Sequence, residues 1–285
     1  MLINTNFISV IDINFLMNYY LTIELKGLIN MFKPTLGIQL YTLRDFCQNA
    51  EDFDATLGFL SDLGVKDVQI SAIGPIDAEV QKQILDKHDI KVCVTHKPLD
   101  RFVDDTDNLI SEHKIIGCDA LGLGGAPSES RDTKEAVDLF LNKINAISDK
   151  LKQNNMTFNY HNHDFEFKAL DNGIKMIDYL IENTDPEFFH FIPDVAWIHY
   201  AGADPVEYLY KMKNRVKVCH FKDYVIIDGE RKFCTLGEGR VDLKACYEAC
   251  KDLGIPYIMY EQDIDWIDGD AKKATELSWK FMQTL

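Results

Sequence analysis

From residue 35 onward the chain alternates eight times between a short apolar or β-branched run and a longer segment of helical periodicity. Nothing else in the sequence restricts the fold so tightly, because strands separated by helices pair in parallel and need cover on both faces. The strands read as 36–41 (LGIQLY), 67–71 (DVQIS), 91–95 (KVCVT), 119–123 (DALGL), 157–161 (TFNYH), 189–194 (FHFIPD), 216–221 (VKVCHF) and 256–261 (PYIMYE). Helical stretches fall near 53–63, 77–87, 105–116, 134–152, 174–182, 206–212, 242–252 and 271–282. Their apolar residues recur at three or four, as in Phe53, Leu57, Leu60 and Leu63, so each helix has one stripe to bury. Gly64, Gly117 and Gly254 follow such stripes, where a left-handed cap ends the helix before the next strand. Eight units over 36–282 predict an α/β fold of the (β/α)8 TIM-barrel type. An open doubly wound sheet competes, but no G-x-G-x-x-G follows the first strand and there is no P-loop.

The barrel domain is expected to run from 31 to 285. Residues 1–30 stand outside the repeat: they are apolar, carry Asp12 and Glu24, and lack both a basic leader and a membrane-length apolar run. They read as an N-terminal extension, disordered or a start-site artefact, since Met31 directly precedes the first strand. The formal net charge of −16 argues against nucleic acid and anionic lipid as partners. Seven cysteines, an odd number without C-x-x-C, suit a reducing, cytoplasmic compartment. Nothing in the pattern opposes a homo-oligomer.

In such a barrel the βα loops at the C-terminal strand ends build one mouth, and chemistry collects there. The fifth to eighth strands end at His161, Asp194, His220 and Glu261. Adjacent strand ends bring such side chains together from several directions, which is what one divalent ion (Mn²⁺, Co²⁺, Mg²⁺ or Zn²⁺) requires.

At these positions the chain resembles the sugar phosphate isomerase/epimerase family, whose fold is the xylose-isomerase-like TIM barrel and which includes inosose dehydratases and ketose epimerases. The resemblance rests on LGIQLYTLRD (core 37–45), YHNHDFEF (160–167), Asp194-x-x-Trp197 with AGADP (201–205), HFKD (220–223), LGEG (236–239) and YEQD (260–263). It implies one divalent ion held by the last four strands, with Asp194, His220 and Glu261 matching the family's ligands. His161 departs, standing where many relatives carry a glutamate that also moves protons. Glu166 and His163, in the same loop, are candidates for that proton work.

Further candidates are weaker. Lys222 could steady negative charge on a substrate oxygen or be a solvated loop residue. Trp197 could floor a sugar site or be core. His96 could meet substrate oxygens or be structural. Glu238 and Arg240 lie in a long loop, 222–241, that reads as a lid or as a surface hairpin. The resulting expectation is a metal-dependent sugar isomerase/epimerase acting on a keto sugar or related polyol carbonyl by α-proton abstraction. In it Glu261 is base and ligand, and Glu166 or His163 is the partner acid. A dehydratase of inosose type and a non-catalytic sugar-binding barrel are the alternatives.

Overall fold

The computed structural model describes residues 32–285; the expected extension at 1–30 lies outside the described residues. Eight parallel strands make the barrel: β1 (Thr35–Gln39), β2 (Asp67–Ile70), β3 (Lys91–His96), β4 (Ala120–Leu123), β5 (Thr157–His161), β6 (Phe189–Ile192), β7 (Val218–Phe221) and β10 (Tyr257–Tyr260). β8 (Asp223–Ile227) and β9 (Glu230–Cys234) pair with each other as an antiparallel hairpin after β7. The parallel order is β6-β5-β4-β3-β2-β1-β10-β7. Between β6 and β7 the ladder reduces to two parallel bridges, Phe191 with Val216 and Asp194 with His220, which nearly close the ring. His220 N donates to Pro193 O at 2.8 Å across this seam. Two of the expected metal ligands therefore meet where the barrel closes.

The helices are α1 (Ala50–Asp62), α2 (Ala78–Lys87), α3 (Leu99–Asp104), α4 (Thr106–Ile116), α5 (Lys134–Asn145), α6 (Ser148–Gln153), α7 (Met176–Glu182), α8 (Val195–Tyr200), α9 (Pro205–Lys211), α10 (Leu243–Asp252) and α11 (Ala271–Met282). Phe53, Leu57 and Leu60 of α1 are buried against the strands, as the stripe requires, and Val137, Phe140, Leu141 and Ile144 do the same on α5. Cys93, Val94, Ala120, Ile192, Val218 and Met259, all from strands, form a separate small cluster. The αL cap at Gly117 has φ +73°, where a side chain would be strained.

Three local features differ from the periodicity reading. The expected helix 134–152 is two helices, α5 and α6, because the chain turns at Ala146–Ile147. The short α3 precedes α4, and α8 starts directly after Asp194. Loop 222–241 contains the β8–β9 hairpin, the second of its two expected forms. The seven cysteines are all unpaired and six of them are buried. Among the described residues no helix is long and apolar enough to cross a membrane.

Candidate metal centre

His161 closes β5, Asp194 follows β6, His220 lies in β7 and Glu261 follows β10. Each offers one ligand atom, and the four atoms lie within 4.8 Å of one another. All four residues are buried. His161 Nδ1, Asp194 Oδ2, His220 Nδ1 and Glu261 Oε2 have no hydrogen-bond partner. His220 Nδ1 and Glu261 Oε2 are 2.9 Å apart without being aligned as a hydrogen bond. Asp194 Oδ2 and Glu261 Oε2 lie 3.1 Å from the Lys222 ammonium, but the two imidazole nitrogens have no partner, and a buried polar atom left unsatisfied costs on the order of 1–3 kcal/mol. A divalent ion fits: two imidazole nitrogens and two carboxylate oxygens are an ordinary ligand set for one.

In three of the four groups the opposite oxygen or nitrogen is already occupied. Asp194 Oδ1 accepts from Ala196 N at 2.9 Å and Trp197 N at 3.0 Å, capping α8, so the residue that starts this helix also aims its other oxygen inward. His220 Nε2–H donates to Gln69 Oε1 at 2.6 Å, which leaves the lone pair on Nδ1. Gln39 Nε2 donates to Glu261 Oε1 at 3.0 Å. Gln39 and Gln69, both fully buried, were not singled out as site residues by the sequence reading. The available signal was their inward alternation on β1 and β2.

Lys222 is fully buried. Its Nζ lies 3.1 Å from Asp194 Oδ2, 3.1 Å from Glu261 Oε2, and hydrogen-bonds both oxygens of Asp263 at 3.1 Å. Burial alone would lower the lysine pKa, but these carboxylates raise it and keep it an ammonium. Burial likewise opposes the charge on Glu261, yet Lys222 and His220 outweigh it and hold that carboxyl well below the usual range. Three carboxylates facing one ammonium leave two negative charges, the complement of a divalent cation.

A cavity of ≈ 580 Å³ opens beside the cluster, lined among others by Tyr41, Ser71, Lys97, Arg131, Asp263 and Glu261. His96, His161 and His163 also line it. The His163 ring stands edge-on to His161 at 4.8 Å and stacks on Phe165 at 5.5 Å, with Nδ1 unpartnered.

The structure does not bring the remaining candidates to this cavity. Glu166 is fully buried in its own loop, where Oε1 accepts from Tyr160 Oη at 2.7 Å and Oε2 from His163 N at 2.7 Å. It clamps the β5 loop. Burial pushes its pKa up to about 7, against the pull of those two bonds. Trp197 is covered by the hairpin: the Arg231 guanidinium lies 3.9 Å over its ring and Phe233 meets it edge-on at 5.7 Å. Glu238 and Arg240 are exposed and do not line the cavity. Asp223 instead ties their loop down, accepting from the backbone N–H groups of Gly237, Gly239 and Val241.

Among characterised proteins, the chain is similar to an inosose dehydratase of Geobacillus thermodenitrificans, 28% identical over 141 residues, which is 43% of this chain and 45% of that one. Similarity to an inosose dehydratase of Clostridium perfringens is 24% over 252 residues, spanning 75% of this chain and 83% of that one. Of solved structures, a sugar phosphate isomerase/epimerase from Parabacteroides distasonis superposes with TM-score 0.76 at 20% identity, over 89% of this chain and 97% of that one. IOLI protein with a bound zinc atom superposes with TM-score 0.66 at 14% identity, over 88% of this chain and 97% of that one. At those identities the superpositions speak for the fold alone. The family model described as xylose isomerase-like TIM barrel matches residues 57–285, and the chain belongs to that family.

Proposed function

We propose that this chain is a divalent-metal-dependent enzyme that abstracts the proton α to the carbonyl of a keto sugar or keto-cyclitol, with loss of a β-hydroxyl as the outcome. The observation behind this reading is the convergence of four buried ligand atoms on His161, Asp194, His220 and Glu261, bordering a cavity of sugar size. When bound there, a divalent ion supplies a Lewis acid for the carbonyl oxygen and offsets the charge that grows on it. Those four residues would hold it.

The rest falls to the chain's own groups. Glu261 has one oxygen among the ligand atoms and the other on Gln39, so its part is binding more than proton transfer. His163 lines the same cavity beside His161, and its buried Nδ1 has no partner. It takes the α-proton and can return that proton to the departing hydroxyl, releasing water. Epimerisation needs a second group on the opposite face of the substrate. The acids lining this cavity, Glu261 and Asp263, both come from the end of β10. The inosose dehydratases among the relatives favour elimination over epimerisation.

Isomerisation shares the first step and is the second reading, favoured by the same free imidazole, which could return the proton to a neighbouring carbon. The test is to incubate the Mn²⁺- or Zn²⁺-loaded protein with a panel of inososes and ketoses in D₂O. Loss of water with a new conjugated absorbance is expected. Deuterium uptake without water loss points to isomerisation, and no exchange with any member leaves a sugar-binding barrel.

A further inference from the structure

One more imidazole stands beside the cluster, grouped with its two histidines and not with its two carboxylates. His96, the last residue of β3, offers a ring nitrogen that lies within 4.8 Å of ring nitrogens of His161 and His220. Its ring centroid is 5.3 Å from that of His161 and 5.7 Å from that of His220, and those two are 4.6 Å apart. Each ring keeps one buried nitrogen without a partner: Nε2 of His96, Nδ1 of His161 and Nδ1 of His220. Three such rings do not satisfy one another, since none is hydrogen-bonded to another.

The backbone makes room for His96. A Cβ on Gly122 would come within 2.9 Å of its Cδ2, and one on Gly124 within 3.4 Å of its Nδ1, so the glycines of β4 and its loop let the ring lie against the chain. The contrast with His113 is instructive, because that buried histidine has both nitrogens occupied, by Thr95 Oγ1 at 2.8 Å and Leu109 O at 2.7 Å. A histidine serving only the core is satisfied in this way; His96 is not.

We propose that His96 is a further metal ligand, making the mouth a three-imidazole centre that prefers borderline ions such as Zn²⁺ or Ni²⁺ over the harder Mg²⁺ and Mn²⁺. Imidazole suits the former and carboxylate or water the latter, so each added ring moves the preference the same way. This rests on the reading of the mouth as a metal centre and names the ion class that it takes.

The experiment strips the full chain with a chelator, reloads it with one equivalent of Zn²⁺, and counts imidazoles by X-ray absorption at the zinc edge. Three are expected. Competition titrations with Zn²⁺ and Mn²⁺ then compare the parent chain with His96→Ala. Zn²⁺ binding should weaken by at least the roughly 10–100-fold that loss of an outer-shell partner produces. Mn²⁺ binding should change less than about 3-fold. Two imidazoles in the parent and unchanged Zn²⁺ affinity in the variant overturn the proposal while leaving the four-ligand centre. Equal weakening for both ions overturns the preference. A parent chain that binds neither ion overturns both readings. If His96→Ala does not fold, His96→Gln replaces it, and the imidazole count of the parent still decides.

Discussion

The two halves of the barrel mouth differ in kind. β5, β6, β7 and β10 deliver the four clustered ligands, two imidazoles and two carboxylates, together with Lys222 and Asp263. β1 and β2 deliver neutral amides, and these reach across the barrel: Gln39 to Glu261, and Gln69 to His220. One half supplies charge and lone pairs, and the other decides which atom of Glu261 and of His220 is presented. A metal site with the first half alone would have the right residues in undetermined orientation.

The largest effect should come from the charged half. Asp194→Ala removes a ligand oxygen and the cap of α8 together, so it should lose the metal, lower turnover by roughly 10³-fold or more, and cost about 0.5–2 kcal/mol of stability through the cap. Asp194→Asn keeps a capping oxygen and should recover most of the stability while still binding metal poorly. Metal content and urea denaturation of the two variants separate the roles. Full metal content in Asp194→Ala would take Asp194 out of the site.

The amide half comes next. Gln69→Leu leaves His220 Nε2 without its acceptor, so the ring can protonate on the wrong nitrogen or turn. Metal affinity should fall on the order of 10–100-fold with the fold intact. Gln69→Glu restores an acceptor and should restore binding. If Gln69→Leu binds metal as the parent does, the division between supplying and orienting halves fails.

This division also explains what could be read in advance. His161, Asp194, His220 and Glu261 each end an apolar run, so the barrel pattern alone places them at one mouth. Gln39 and Gln69 sit inside their runs as neutral residues, and their alternation places them inward without naming partners 222 and 151 positions away. Glu166 fails for another reason. Its side-chain direction is set by the 3₁₀ turn Phe165–Phe167, which turns it from the mouth toward Tyr160, and a spacing of five from His161 does not encode that turn. α8 is six residues long, too short to show a stripe.

Glu166 gives a prediction with a definite sign. Its carboxyl is raised from 4.5 to about 7 in the fold, mainly by burial. The stability it contributes is therefore full below pH 4.5 and is lost as pH rises toward and through 7, a loss of about 3 kcal/mol for a shift of this size. Glu166→Gln cannot ionise. The stability difference, parent minus variant, should fall across that window, on top of a constant offset from the altered bonds to Tyr160 and His163. Because Glu166 does not face the cavity, metal content should stay and turnover should drop less than about 10-fold, short of the 10²-fold or more of a general acid. A stability difference flat in pH, or a turnover loss beyond that, would return Glu166 to the mechanism.

The smallest effect belongs to the hairpin and tests whether a third region shares in the site. Glu238 and Arg240 are exposed and outside the cavity lining, and the loop that carries them is held through its backbone by Asp223. Replacing both by alanine should change metal content not at all and turnover by less than about 2-fold, since surface substitutions away from specific contacts are nearly neutral. Arg231→Ala should matter more. Its guanidinium lies over Trp197 at 3.9 Å, Tyr200 at 4.7 Å and Phe233 at 4.5 Å, and stacking of this kind contributes about 0.5–2 kcal/mol. Loss of it should loosen the hairpin over α8 and show as faster amide exchange in β8 and β9, with the metal retained. If the Glu238/Arg240 double variant were the slower enzyme of the two, the loop would close over substrate after all, and the mouth would have three working regions instead of two.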